Sequence, residues 1–192
     1  MSDYMVEQTT GDATVRYSHG AALIHWVTGI LVLAQIYVGL RFGDMPKGPE
    51  RMEMFTIHKT LGALILLAAG IRLAYRLLNP PPPYPAELPK WDRFLAVWSH
   101  RIVYLMLFAL PLTGLIAVSE RAKDGWVDLL WGMRIPALPI GDGEIFGEVH
   151  EILVWTTIAL LVVHISAAIY HHLIARDAAS GRLPPLPSTR RD

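Results

Sequence analysis

Polar and apolar residues along this chain fall into long blocks, not into the short alternations of a soluble sheet. Residues 21–40, AALIHWVTGILVLAQIYVGL, are twenty in a row without a charge, and residues 152–170 are nineteen. A helix rising about 1.5 Å per residue needs roughly 20 such residues to cross the ~30 Å hydrocarbon core of a bilayer. Residues 102–119, IVYLMLFALPLTGLIAVS, make another block, in which Pro111 and Gly114 predict a kink that neighbouring helices can accommodate. The remaining block is shorter, with only twelve uncharged residues at 60–71. Extended to 57–75 it reaches spanning length if Lys59 and Arg72 carry their charges to opposite surfaces. The pattern predicts an all-α membrane protein, a four-transmembrane-helix bundle.

The segments between the blocks are polar. Residues 1–15 read as a loosely held tail, and residues 79–89, NPPPPYPAELP, as a stiff polyproline-like connector too short to separate domains. In the stretch 120–147, Trp126, Leu129, Leu130 and Trp131 recur at near-helical spacing and predict a short interfacial helix. One domain over 16–177 is therefore expected, between polar tails at 1–15 and 178–192. The first apolar block is too long for a signal-peptide core and follows a polar, slightly acidic start, so it is expected to persist as an anchor. Lys and Arg divide ten to seven between the two membrane sides, which favours both termini in the cytoplasm.

Composition agrees with this picture and narrows the chemistry. Hydrophobic residues make up 53% of the chain and charged ones 18%, below the quarter or so of a soluble domain. The formal net charge of zero argues against a nucleic-acid partner. No cysteine is present, which removes disulfides, iron–sulfur clusters and thioether-linked haem together.

The histidines carry the candidate chemistry. His150 precedes the last block and His164 lies within it, fourteen residues on. At ~100° per residue both point to nearly one side of a helix, roughly 21 Å apart along its axis. With the termini inside, His25 and His164 fall near the inner surface, while His58 and His150 fall near the outer one. Two depth-matched pairs of imidazoles are how a bundle grips b-type haem without a covalent link. The bland reading is four interfacial histidines, each with a satisfied hydrogen bond. Zinc is the competing metal, favoured only by Glu148 and Glu151 beside His150. His171, seven residues past His164, stays within ~20° of that face and about 10 Å further along. It suits a hydrogen-bond partner that delivers protons to a quinone carbonyl, and equally suits an interfacial residue ending a helix.

In order along the chain stand LIHW at 23–26, IHK at 57–59, the pairs Arg72-Leu73 and Arg76-Leu77, SHRIVYLMLFALPLTGL at 99–115, VHEIL at 149–153 and VHISAAIYHH at 163–172. This ordered set resembles the bacterial cytochrome b-561 family, and within it the small dihaem superoxide oxidases. The resemblance implies two non-covalent haem b groups with iron held by His25, His164, His58 and His150, and it places Arg16 and Arg72 in the cofactor-binding set. It also implies a ubiquinone site on the cytoplasmic side near His171, with His100 as a further contact, in a bacterial inner membrane.

On this resemblance the expected activity is electron transfer from periplasmic superoxide to ubiquinone. Lys59 is the favoured cation for the superoxide, with Arg121, Lys123 and Arg134 as others that could steer an anion. The alternative is a haem-carrying anchor subunit that passes electrons between a periplasmic dehydrogenase or hydrogenase partner and quinone, docking through the loop at 125–147. A colourless scaffold or transporter is the non-redox reading.

Overall fold

A computed structural model describes all residues except 1–3, 10–11, 85–87, 123, 178 and 188–192. Four long helices dominate it: α1 (His19–Asp44), α2 (Pro49–Leu78), α3 (Lys90–Ser119) and α4 (Gly143–Ile169), the last followed by a π-helical turn at Tyr170–Ala175. Each contains a window apolar enough to cross a bilayer, with mean hydropathies of 1.8, 1.8, 2.2 and 2.3 in chain order. The fold is the predicted all-α membrane architecture.

Helix ends follow local chemistry more than hydropathy. Ser18 accepts a hydrogen bond from the Ala21 amide at 3.2 Å and so caps the start of α1. Asp142 does the same for α4, accepting from Glu144 and Ile145 at 2.8 and 3.2 Å. Pro49 opens α2 at a position where its missing N–H costs nothing. Each helix therefore extends beyond its apolar block, α2 by eight residues and α3 by twelve at the N-terminal end. Pro111 lies inside a continuous α3.

The helix exteriors are inverted relative to a soluble bundle. Leu23, Ile30, Leu67, Leu105, Ile152 and Val162 are each more than 60% exposed, while the buried positions include Ala22, Thr28, Thr60, Ala69 and Ser119. A large apolar side chain left in water forgoes roughly 1.5–3 kcal/mol, so faces like these require lipid. Small residues at the contacts let the helix backbones approach, as membrane packing demands. Their hydroxyls are satisfied within the helix: Thr60 donates to the Thr56 carbonyl at 2.8 Å and Ser119 to that of Leu115 at 2.6 Å.

Two polar segments differ from expectation. Where a loose N-terminal tail is predicted, β1 (Tyr4–Thr9) and β2 (Asp12–Tyr17) pair as an antiparallel hairpin. Where an interfacial helix is predicted at 126–131, β3 (Trp126–Asp128) and β4 (Arg134–Pro136) form a second hairpin around a 3₁₀ turn at Leu130–Gly132. Residues 126–128 are extended and paired with 134–136, and positive φ at Trp131 and at the flanking Gly125 and Gly132 (56°, 78° and 71°) turns the chain at either end. Val127 is buried between exposed Trp126 and Asp128, a period of two that the aromatic spacing obscures.

The chain divides into two compact units to which all four helices contribute. One comprises Met1–Val27, Gly70–Val103 and Ala159–Asp192; the other comprises Thr28–Ala69 and Tyr104–Ile158. Each contains one group of histidines.

Candidate haem-binding sites

In the unit built from Thr28–Ala69 and Tyr104–Ile158, α2 presents His58 and α4 presents His150, with ring centres 6.2 Å apart and planes at 85°. Phe42 of α1 packs 5.0 Å from the His58 ring. The Nδ1–H of His150 donates to the Leu110 carbonyl at 2.9 Å, with the Thr113 hydroxyl 3.3 Å away. That tautomer leaves Nε2 with a free lone pair, the arrangement a metal ligand needs. Gln35, in the middle of α1, places its amide nitrogen 3.2 Å from Nε2 of His58.

Glycines line the same site. A Cβ on Gly39 would meet the His58 ring at 3.1 Å, and one on Gly114 would meet the His150 ring at 3.0 Å. The two imidazoles thus lie against bare backbone on α1 and α3. Nδ1 of His58 and Oε1 of Gln35 are buried and lack a partner among the described residues. Buried polar atoms are nearly always satisfied, so these orphans mark a site shaped for a further polar group.

In the other unit, His25 of α1 faces His164 of α4 with ring centres 6.4 Å apart and planes at 43°. Here the surroundings are cationic and aromatic. Arg72 of α2 reaches Nδ1 of His25 at 3.0 Å. Because guanidinium only donates, Nδ1 accepts and the ring proton sits on Nε2. Ligation through Nε2 requires Arg72 to release Nδ1 and the proton to move there. His100 of α3 stands 5.5 Å from His164, its Nδ1–H held by the Ala96 carbonyl at 2.7 Å. Trp26 packs edge-on to His25 at 5.5 Å.

The donor sets fit haem. Two imidazole–metal bonds of about 2 Å in line, plus roughly 1 Å from each nitrogen to its ring centre, place the centres about 6 Å apart. Both pairs have that spacing. Among the described residues no group of three or more His, Cys, Asp or Glu is arranged to hold an ion alone, so two axial imidazoles suit a group that brings its own equatorial ligands.

The other predicted site residues are distributed as follows. Arg16 donates to the Leu186 carbonyl at 2.6 Å and is thereby tied to the C-terminal segment. Lys59 lies 5.5 Å over the Phe55 ring, within electrostatic reach of Asp128. Arg121 is exposed, and Lys123 lies outside the described residues. Arg134 pairs with both Asp124 and Asp128, which cancels the field it would offer a diffusing anion. The hydrogen bond from Arg134 holds the Asp124 carboxyl below its ordinary value.

His171 lies in the π-helical turn at Tyr170–Ala175 that ends α4. Its Nδ1 bonds Asp177 at 2.6 Å, and His172 Nδ1 lies 3.2 Å from the Ser180 hydroxyl. Gln35, Gly39 and Gly114 touch the candidate ligands and Asp177 touches His171, and none of these contacts was expected from the sequence. Gln35 had a signal, an amide in the middle of an uncharged span; Asp177, beyond the apolar block, had none.

A family model described as prokaryotic cytochrome b561 matches residues 16–182. Cytochrome b561 homolog 2 of Escherichia coli K12 is 30% identical over 183 residues, covering 88% of this chain and 90% of that protein. Cytochrome b561 homolog 1 of the same strain is 28% identical, covering 88% and 97%. A protein of Yersinia pestis named "Probable superoxide oxidase CybB" is 27% identical over 166 residues, covering 84% and 92%.

Proposed function

This chain belongs to the prokaryotic cytochrome b561 family of membrane electron carriers, and from that premise we propose that it is a dihaem superoxide:ubiquinone oxidoreductase of the bacterial inner membrane, with both termini cytoplasmic. The observation that carries the reading is the repeated spacing of 6.2 and 6.4 Å between histidines from different helices. His58 with His150, and His25 with His164, would hold one haem b each. Bound there, haem would supply reversible one-electron chemistry, its potential tuned by the imidazoles that hold it and by burial.

The chain's own residues do the remainder. Leu110 and Thr113 hold the His150 tautomer, and Gly39 and Gly114 leave room beside the rings. Arg72, once released from His25, supplies a cation for an anionic substituent of the cofactor. At the outer side Lys59 is the cation for superoxide; Arg134, neutralised by two carboxylates, is not. Toward the cytoplasm, Trp26 donates to the Pro184 carbonyl at 2.8 Å, and the Tyr17 amide to that of Arg182 at 2.9 Å. The C-terminal segment is thus drawn back over the start of α1, where it shelters a quinone from water. His171 is the proton donor to the quinone. Similarity to the Yersinia pestis protein named as a probable superoxide oxidase supports the choice of donor.

Rapid mixing of the purified haem-loaded protein with superoxide and a short-chain ubiquinone tests this. Haem reduction followed by quinone-dependent reoxidation is expected, and its absence overturns the assignment. The second reading, an anchor subunit for a periplasmic dehydrogenase or hydrogenase, draws on the β3–β4 hairpin, where Trp131 is 86% exposed with φ of 56°. A stable co-purifying redox subunit would favour it.

A further inference from the structure

The end of α4 is built around a carboxylate. Arg176 adopts left-handed backbone, φ 48°, and ends the helical run by turning the chain back on itself. The next residue, Asp177, is thereby returned toward the helix it follows. One of its carboxylate oxygens accepts from His171 Nδ1 at 2.6 Å and the other accepts from the Ala179 amide at 2.9 Å. Its backbone carbonyl accepts from the Ser180 amide at 3.0 Å. The carboxylate is therefore held from two directions. The imidazole and carboxylate side chains are 23% and 31% exposed, sheltered yet open to a ligand.

We propose that Asp177 is the positioning residue for proton delivery to the quinone, acting through His171. This rests on the reading of His171 as the group that meets the quinone. A carboxylate accepting the Nδ1 proton leaves Nε2 as the nitrogen that exchanges protons, and it offers a fixed counter-charge when Nε2 is protonated. Reduction consumes two electrons and two protons per quinone, the electrons coming from two superoxide anions that depart as dioxygen. At each electron arrival an N–H bond at Nε2 breaks as an O–H bond forms on the quinone, and the ring regains a proton from cytoplasmic water. The Nδ1 proton stays on the ring, against Asp177, throughout. The neighbouring His172 bonds a neutral hydroxyl, that of Ser180, so the fixed carboxylate belongs to His171.

The alternative role for Asp177 is structural, a staple for the turn. Asp177→Asn separates the two, because the amide still hydrogen-bonds the ring, through its oxygen or its nitrogen, while the charge and the obligatory acceptor are gone. In the purified haem-loaded protein, chemically prereduced and mixed with a short-chain ubiquinone, this variant is expected to reoxidise about 10- to 100-fold more slowly. Haem content and the KM for quinone should stay near wild type. Asp177→Glu should recover part of the rate. Nitrogen NMR of labelled histidine should show the His171 proton fixed at Nδ1 in the wild type and distributed over both nitrogens in Asp177→Asn. The double variant His171→Ala/Asp177→Asn should be no slower than His171→Ala alone. An unchanged rate in Asp177→Asn, or an equal further loss in the His171→Ala background, overturns the proposal while leaving His171 in place. If His171→Ala itself reoxidises normally, the underlying quinone reading fails, and the role of Asp177 with it.

Discussion

The His58–His150 and His25–His164 pairs share nearly the same ring spacing but differ in what surrounds them. Around His150 the partners are acceptors, the Leu110 carbonyl and the Thr113 hydroxyl, and backbone glycines on α1 and α3 press against both rings. His150 is set for ligation as it stands, whereas His58 must first release the Gln35 amide from its Nε2. Around His25 the partner is a donor, Arg72, and a third imidazole, His100, faces His164. That pair must reorganise its hydrogen bonds to take a metal. Equal spacing therefore does not mean equal sites. The His58–His150 pair is shaped by packing and a fixed His150 tautomer, and the His25–His164 pair by a cation, Arg72, that would have to leave His25 before ligation.

The largest effect should come from removing a ligand at one level only. His58→Ala and His164→Ala are each expected to lose about half the haem absorbance, with the remaining half spectrally intact. Full haem in either variant would break the assignment of one pair to each unit. Next in size are the glycines. Gly114→Ala should crowd His150 and Gly39→Ala should crowd His58, each at about 1–3 kcal/mol if the ring cannot move away. Thermal release of haem should register this at one level alone; equal loosening of both levels would contradict the separation.

Arg72→Gln tests the other pair. Removing the donor from His25 should shift the reduction potential of a single haem in a redox titration, and a shift of both would erase the contrast. Thr113→Val should be smaller, under about 1 kcal/mol, because Leu110 still accepts from His150.

The smallest effect concerns the β3–β4 hairpin. Asp124 has its carboxyl value lowered from 3.8 by Arg134. A lowered folded value means the contribution is in place above the ordinary value and is lost as pH falls through the lower one. Protection of the hairpin amides, taken relative to intrinsic exchange at each pH, should therefore hold steady down to about pH 4 and fall only below it, and Asp124→Asn should abolish that step.

Much of the architecture was legible because bilayer crossing is a one-dimensional constraint. Roughly twenty uncharged residues must lie along one helix, so the blocks at 21–40, 102–119 and 152–170 were visible without any partner. Depth was legible too: once the direction of each crossing is assigned, rise per residue pairs His25 with His164 and His58 with His150. Helix ends were less so, since Ser18, Asp142 and Pro49 act through caps and backbone angles that hydropathy does not register. The misread stretch at 126–131 shows why. Its aromatic spacing mimics a helix turn, but positive φ at Trp131 and at Gly125 and Gly132 on either side bends the chain into a hairpin.

By itself, then, the sequence determined a four-helix membrane protein without sulfur chemistry and the order and depth of its histidines, because these depend on length, rise and composition along a single chain. Only the tertiary structure decided that Arg72 holds Nδ1 of His25, that Gly39 and Gly114 back the opposite pair, and that Asp177 closes on His171. Those relations depend on side-chain direction and on residues that meet from different helices or across a left-handed turn. Spacing along the chain carries no record of them.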